Sequence, residues 1–288
     1  MRKETDGPKS LRRWLRVLVS LALIVGLPIA FIAGCQSKLL YFPRPYAAGV
    51  TNEWREKTAG RPVDFTTSQG RQRAFLQGNL KSPRNLWIVC GGNGTVALDW
   101  SDWLATHAPK EDAWLLVDFP GYGDCEGKPS PGHIRESLRV VVPIAAESVG
   151  LTAKPDSTQL RFFGHSLGAA ASLIAATEFG MRQGVLLSPF TSTMEMSELV
   201  TGLPLGMLVT HRYDNEARLD EIIRQGPAIV VILHGTDDEV IPVDMSRKLA
   251  RGRKESVRLV EIQGAHHNDI AQNNSGRLAR ALEFIGAP

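Results

Sequence analysis

The residues with the clearest chemical potential lie in Gly164-His165-Ser166-Leu167-Gly168, which follows the pattern Gly-x-Ser-x-Gly. An apolar run precedes this pentapeptide and three alanines follow it, an order that indicates a strand, a sharp turn and a helix. On such a turn the Ser166 hydroxyl stands above a sheet, and the two glycines remove side chains that would collide with the strained backbone. We therefore expect Ser166 to be a nucleophile. The Leu167 N–H, at the start of the helix, would stabilise a developing negative charge.

A serine hydroxyl becomes a good nucleophile only when a histidine takes its proton and a carboxylate orients that histidine. After a strand-turn-helix serine, the acid and then the histidine follow along the chain. Asp237-Asp238 follows the apolar run 228–233, and His266-His267 follows the run 256–262. Both pairs come just after a predicted strand, where ligands gather in open parallel sheets. The residues alone leave open which Asp and which His take part.

A second glycine-rich turn, Gly91-Gly92-Asn93-Gly94, follows the apolar run 86–90. It lacks the Lys-Ser/Thr of a phosphate-binding loop and the spacing of a dinucleotide fingerprint. Beside a nucleophilic serine, the Asn93 N–H is expected to be the second donor to an oxyanion. The alternative is a tight turn with a purely structural role.

The elements that position these residues alternate between strands and helices, which predicts a mostly parallel central sheet with helices on both faces. Residues 63–67 and 73–77, separated by Ser68-Gln69-Gly70, predict a hairpin at its beginning. Buried strands are predicted at residues 86–90, 113–119, 184–190, 228–233 and 256–262. Residues 191–226 carry no strand signal and have apolar residues at helical spacing. They predict either ordinary packing helices or a short lid over an acyl pocket.

The first 34 residues differ from the rest of the chain. Basic residues precede an almost charge-free run from Val17 to Ala33, as in an export signal or a membrane anchor. The run is slightly short of the roughly 20 residues that span a bilayer. A cleaved signal and an anchor both predict that the remainder lies outside the cytoplasm, since the basic residues stay inside. Ile32-Ala33-Gly34-Cys35 resembles the lipobox of bacterial lipoproteins, which implies lipidation at Cys35.

The remaining chain, 35–288, is expected to form one domain, because no internal repeat or low-complexity linker divides it. The net charge of +3 comes from the first segment, since residues 35–288 hold 27 basic and 28 acidic residues. Nothing therefore suggests nucleic-acid binding. No metal-ligand spacing such as His-Glu-x-x-His occurs, and no cofactor is expected. Cys90 and Cys125 could pair in an oxidising envelope.

Several stretches together resemble the α/β-hydrolase superfamily, and within it the small-lid BEM46-like group. They are Leu40-Tyr41-Phe42-Pro43, Gly91-Gly92-Asn93-Gly94, Val117 to Gly123, Gly164 to Gly168, Ser188-Pro189-Phe190, Arg212-Tyr213-Asp214, His234 to Pro242 and His267-Asn268-Asp269. The resemblance implies an α/β-hydrolase fold with a short lid. It also implies that Asp238, rather than Asp237, is the acid and that His267, rather than His266, is the base. His165 and His234 match structural positions, and Gly91 replaces a common histidine.

The resulting expectation is a serine hydrolase that cleaves small carboxylic esters or thioesters through an acyl-enzyme. A serine peptidase is the alternative within enzymes. A non-catalytic envelope scaffold or ligand-binding protein on a hydrolase fold is the alternative from another class. The expected location is the bacterial cell envelope, with the chain attached to the membrane through a lipid on Cys35 or through an anchor.

Overall fold

A computed structural model describes residues 14–16, 19–20, 36–153 and 158–287 of the chain. Cys35 and most of the predicted signal or anchor segment lie outside the described residues, so the lipobox and the membrane segment stay predictions. Among the helices that the structure describes, none is long and apolar enough to cross a membrane.

Eight strands form one sheet with the order β1-β2-β4-β3-β5-β6-β7-β8. Their bounds are β1 Arg61–Thr67, β2 Gly70–Gly78, β3 Leu86–Cys90, β4 Ala113–Val117, β5 Leu160–His165, β6 Gln183–Leu187, β7 Ile229–Gly235 and β8 Val257–Ile262. Strands β1 and β2 form the predicted hairpin, and β2 pairs antiparallel with β4. The other neighbouring pairs are parallel. The prediction of a mostly parallel sheet is therefore confirmed.

Helices cover both faces of this sheet. Their bounds are α1 Val50–Thr58, α2 Ser101–His107, α3 Pro131–Ser148, α4 Leu167–Phe179, α5 Thr193–Thr201, α6 Asn215–Arg224, α7 Val243–Ala250, α8 Ile270–Asn273 and α9 Ser275–Gly286. Side chains of β3 alternate between the two faces: Ile88 packs with α3 and α4, whereas Trp87 packs with α2 and α9. A strand buried on both faces explains the continuous apolar run at residues 86–90.

The segment 191–226, called here the insertion, contains no strand, as predicted. It comprises α5, a short 3-10 helix at Gly206–Leu208, and α6. Ser192 caps α5 by accepting a hydrogen bond from the Glu195 N–H, and Asp214 caps α6 through the Ala217 N–H. Strand β6 ends at Leu187, three residues before the predicted end, because Ser188 takes a left-handed conformation with φ of 42°.

Cys90 and Cys125 do not form the disulfide that the sequence allowed. Both thiols are free and buried. The Cys125 thiol instead lies 3.4 Å from the backbone N and from the carbonyl O of Arg73. Burial raises the pKa of each thiol to about 12.

Helix α4 begins in direct contact with the backbone that follows β3. A Cβ atom on Gly168 would lie 2.0 Å from the Cys90 carbonyl oxygen and 2.3 Å from that of Gly91. A Cβ atom on Gly164 would lie 2.3 Å from the Gly168 carbonyl oxygen. These two glycines are therefore required by close backbone packing.

We expect Gly168→Ala to lower the free energy of unfolding by at least about 1–3 kcal/mol, because the added methyl group must displace backbone. Gly132→Ala is the matched control. The added methyl group there has only the Ser130 hydroxyl near it, at 3.9 Å, and Ala favours the helix. Urea unfolding of both variants checks this, and equal stabilities would contradict the packing argument.

Candidate active site

Ser166 occupies a strained turn between β5 and α4. Its backbone has φ of 56° and ψ of −120°, values that a non-glycine residue seldom adopts. Its N–H donates to the Leu187 carbonyl at 2.9 Å, which extends the β5–β6 ladder up to the turn. The packing of Gly164 and Gly168 fixes the backbone on either side. The serine is thus held at the carboxyl edge of the sheet, with 8% of its surface exposed.

Asp238 and His267 meet at the same edge, beyond the ends of β7 and β8. The His267 Nδ1–H donates to Asp238 Oδ2 at 2.7 Å. Asp238 Oδ1 accepts the N–H groups of Ile241 at 2.7 Å and Val240 at 3.0 Å. The carboxylate is fully buried and His267 is buried. This pairing leaves Nε2 as the nitrogen of His267 that can accept a proton.

The neighbouring candidates point elsewhere. Asp237 is exposed and accepts a hydrogen bond from the Thr236 hydroxyl. The His266 side chain is 56% exposed and lies 3.2 Å from Glu239. The structure therefore pairs the side chains of Asp238 and His267, whereas in the described part of the chain no hydrogen bond joins the Asp237 carboxylate to His266.

A second histidine contacts the same oxygen of the Asp238 carboxylate. His234 Nε2 lies 2.8 Å from the Ile241 carbonyl and 3.2 Å from Asp238 Oδ2, so this nitrogen carries a proton. The Ser246 hydroxyl lies 2.6 Å from His234 Nδ1. Sequence reasoning gave His234 only a structural role. The contact of His234 with Asp238 could not be predicted, because the two residues meet only through the turn after β7.

These contacts keep Asp238 ionised. Burial alone would raise the pKa of the Asp238 carboxyl. The hydrogen bonds from His234, His267 and the Ile241 N–H outweigh burial, and the pKa is lowered well below its ordinary value. An ionised buried carboxylate stabilises a positive charge on the neighbouring imidazole.

His165, directly before the serine, packs beside His267. The two ring centroids are 5.0 Å apart, and His165 Nε2 lies 3.2 Å from the His267 carbonyl oxygen. Ser166 itself has no side-chain hydrogen bond to His267 or to any other described residue. Hydrogen bonds of this kind are often long before a substrate binds.

The glycine-rich turn after β3 lies against the serine. A Cβ atom on Gly92 would be 3.5 Å from the Ser166 Cβ atom. The Asn93 side chain has a structural role, since its Oδ1 accepts hydrogen bonds from the Phe42 N–H at 2.8 Å and from the Tyr122 hydroxyl at 3.3 Å. Among the described residues, no hydrogen-bond acceptor is found for the N–H groups of Asn93 and Leu167. Both N–H groups are therefore available to a ligand.

Phe42 and Tyr122 were not expected at this place. In the sequence, both residues stand out only as parts of stretches that carry the family resemblance, Leu40 to Pro43 and Val117 to Gly123. Both hold the turn that carries Asn93. Nothing in the spacing could have shown this, because the contacts span 51 and 29 residues.

Asp118, at the end of β4, is a further buried carboxylate outside this group. It accepts the Tyr46 hydroxyl at 2.6 Å and the Ala97 N–H at 2.7 Å. Burial is the largest influence and raises the pKa of Asp118 to about 7. The contact with Ala97 holds the start of the 3-10 helix that precedes α2, so Asp118 has a structural role.

Comparisons with known proteins place this geometry in context. No family model matches the chain. An uncharacterized protein of Mycobacterium tuberculosis is 30% identical over 261 residues, which cover 89% of each chain. An alpha/beta hydrolase domain-containing protein 17B of Xenopus tropicalis is 28% identical over 228 residues, 75% of this chain and 72% of that protein. A Pyrococcus furiosus esterase structure superposes with a TM-score of 0.63 at 14% identity, covering 86% of this chain and 98% of the esterase.

Titration should separate the buried and exposed histidines. Burial, followed by the charge of His267, lowers the pKa of His165 to about 4. Glu239 raises the pKa of the exposed His266 above its ordinary value. NMR of the imidazole nitrogens should therefore show His165 neutral down to about pH 4, and His266 protonating at a higher pH than an unperturbed histidine.

The same shift predicts a loss of stability in acid. Because the pKa of His165 is lower in the folded than in the unfolded chain, its contribution is present above about pH 6.5 and lost as the pH falls toward about 4. The loss from this group is of order 3 kcal/mol at most. His165→Gln should show a smaller fall in unfolding free energy over this range. An unchanged fall would contradict the shift.

Proposed function

On the premise that the chain belongs to the family of this Mycobacterium tuberculosis protein and has the α/β-hydrolase fold, we propose that it is a serine hydrolase of esters or thioesters. The observation that carries the proposal is the buried Asp238–His267 pair at the sheet edge that also carries the strained Ser166 turn. Within the superfamily, the short insertion of residues 191–226 favours the small-lid BEM46-like group.

The mechanism follows from the groups present. His267 Nε2 takes the proton of the Ser166 hydroxyl as Oγ attacks the acyl carbon, and Asp238 stabilises the imidazolium that forms. The carbonyl oxygen becomes an oxyanion, which the Asn93 and Leu167 N–H groups bind. His267 then protonates the leaving alcohol or thiol, and an acyl-serine remains. A water molecule, deprotonated by His267, attacks the acyl carbon and releases the acid and free Ser166.

The proposed acyl transfer uses only side-chain and backbone groups of this chain, together with water. No cluster of metal-ligating side chains occurs in the part of the chain that the structure describes. The free N–H groups at the start of α4 and in the Gly91–Gly94 turn supply the stabilisation of negative charge. These N–H groups stabilise an oxyanion strongly, because most of the surrounding residues are buried and electrostatic interactions are stronger away from water.

The N-terminal segment, residues 1–34, supports a further part of the proposal. Its basic residues and its apolar run favour export or anchoring, with lipid attachment at Cys35. The catalytic domain would then act in the bacterial cell envelope, outside the cytoplasm.

A fluorophosphonate probe tests the nucleophile, because it needs an activated serine and an oxyanion site but almost no substrate recognition. We expect the full chain to be labelled on Ser166 and Ser166→Ala to remain unlabelled. Peptide mapping of the adduct locates the site. Absence of labelling in a chain that unfolds cooperatively would favour a non-catalytic scaffold or ligand-binding protein instead.

Two matched pairs of variants test the acid and the base. Asp238→Asn should lower kcat for a short-chain acyl ester by about 10³–10⁴, because His267 then loses the carboxylate that orients and stabilises it. Asp237→Asn, one residue away and exposed, should leave kcat nearly unchanged. His267→Ala and His266→Ala form the second pair. His267→Ala should lower kcat strongly, and His266→Ala should leave kcat nearly unchanged. A larger loss of kcat in Asp237→Asn than in Asp238→Asn would contradict the assignment of Asp238 as the acid. A larger loss in His266→Ala than in His267→Ala would contradict the assignment of His267 as the base.

A further inference from the structure

Exposed apolar side chains are concentrated on the insertion. Val200 is 77% exposed and Met207 is 81% exposed, and Leu199 and Leu203 are more than half exposed. These four residues lie within nine positions of one another in sequence. Single exposed apolar residues are common on soluble proteins, whereas a group of this kind marks a surface for binding.

The four residues belong to one compact piece of structure. The 3-10 helix packs against α5 at Gly206, where a Cβ atom would lie 2.7 Å from Glu198 Oε1 and 3.2 Å from the Met194 Cβ atom. Arg212 donates to the Met207 and Val209 carbonyl groups, which closes the loop after the 3-10 helix. The side chains are therefore held outward by a folded support.

The beginning of the domain binds directly to this piece. Gln36 Nε2 donates to the Leu208 carbonyl, and Gln36 Oε1 accepts the Thr210 N–H at 2.7 Å and its hydroxyl at 2.9 Å. Leu39 and Phe42, which follow, are 69% and 56% exposed. We call the six exposed residues Leu39, Phe42, Leu199, Val200, Leu203 and Met207 the apolar patch.

Gln36 also fixes where the preceding chain begins. The apolar run of the predicted signal or anchor ends at Ala33, three residues earlier. Three residues span at most about 10 Å. If this run, or a lipid on Cys35, lies in a bilayer, Gln36 and the neighbouring part of the insertion must lie close to the bilayer surface.

The charge around the apolar patch fits an anionic lipid surface. Lys38, Arg44 and Arg212 are exposed basic residues in segments 36–44 and 196–212, and Glu198 is the acidic residue there. Arg44 is paired with Asp99, so Lys38 and Arg212 supply the positive charge available to a lipid surface. Neither Lys38 nor Arg212 pairs with an acidic side chain in the described part of the chain. Basic residues at the rim of an exposed apolar surface are typical of proteins that lie on membranes.

We propose that the apolar patch rests on the lipid bilayer and enters its headgroup region. Phe42 joins the apolar patch to the candidate active site, since its N–H donates to the Asn93 side chain in the turn Gly91–Gly94, called here the oxyanion turn. The site therefore lies next to the membrane surface. Resting on the proposed function, this adds a substrate class: esters or thioesters whose long acyl chains partition into the bilayer.

Depth-dependent quenching tests the docking without using activity. The full chain carries a single added cysteine at Val200, Met207 or Phe284, each labelled with an environment-sensitive fluorophore, in vesicles of phosphatidylcholine and phosphatidylglycerol. We expect blue-shifted emission at positions 200 and 207 and loss of most of that emission with lipids that carry a nitroxide near the headgroup. The unmodified chain, labelled in parallel, gives the background from its own cysteines.

Phe284 supplies the matched control. It is 52% exposed and lies on α9, whose last residues bind the opposite edge of the sheet through Arg161 and Asn85. Its label should keep a water-like emission without quenching. Unquenched, water-like emission at 200 and 207 would overturn the proposal. Blue-shifted emission at these positions that nitroxide lipids do not quench would also overturn it, and would indicate a protein partner such as a second copy.

A second arm tests the substrate class. Val200→Asp combined with Met207→Asp should lower hydrolysis of a long-chain acyl ester in vesicles by about tenfold or more. Hydrolysis of a soluble short-chain ester should stay within about twofold, because neither residue belongs to the candidate active site. Equal losses on both substrates would contradict delivery from the bilayer. If the unsubstituted chain hydrolyses neither ester, the proposed function fails while the fluorescence arm still decides the docking.

Discussion

The contact between the start of α4 and the backbone after β3 is the constraint on which the candidate active site depends. Because Gly168 has no side chain, the helix begins against the carbonyl groups of Cys90 and Gly91. This approach brings the Gly91–Gly94 turn against Ser166, where a Cβ atom on Gly92 would lie 3.5 Å from the Ser166 Cβ atom, and Leu167 follows Ser166 directly in the chain. The strained backbone of the serine, with its positive φ, is maintained by the packing around it and by its hydrogen bond to Leu187. The proposed nucleophile and the two proposed oxyanion donors thus all depend on a single backbone contact.

The pairing of Asp238 with His267 depends on a different arrangement, in which buried polar groups form hydrogen bonds with one another. Asp238 receives hydrogen bonds from two backbone N–H groups and from the imidazoles of His234 and His267. Such saturation is what allows a carboxylate to stay ionised without contact with water. His165 is held neutral on the other side of His267 by burial. His267 therefore has an anionic neighbour at Nδ1 and no cationic neighbour in His165.

The segment after residue 35 connects parts of the chain that are distant in sequence. Gln36 bonds to the insertion, the Tyr41 hydroxyl bonds to that of Tyr213 at 2.9 Å, and Phe42 bonds to the oxyanion turn. A perturbation of this segment therefore reaches the insertion and the site together. In the proposed membrane-bound state, the apolar patch and the oxyanion turn share this segment as their common support.

Local signals in the sequence were enough to predict several elements. The buried strands, the hairpin and the Gly-x-Ser-x-Gly turn follow from apolar runs and glycine positions, because strand burial and tight turns restrict residue type locally. The order of serine, acid and histidine also limited the choice to two aspartates and two histidines. Resemblance to a family was needed to favour Asp238 and His267 over their neighbours.

Three further contacts could be seen only in the folded protein. They are the pairing of Asp238 with His267, the second contact of Asp238 with His234, and the support of Asn93 by Phe42 and Tyr122. Each depends on where loops meet in space, and neither the spacing of residues nor their types carry that information. The free state of Cys90 and Cys125 was likewise decided by packing, since residue type allowed a disulfide that the fold does not form.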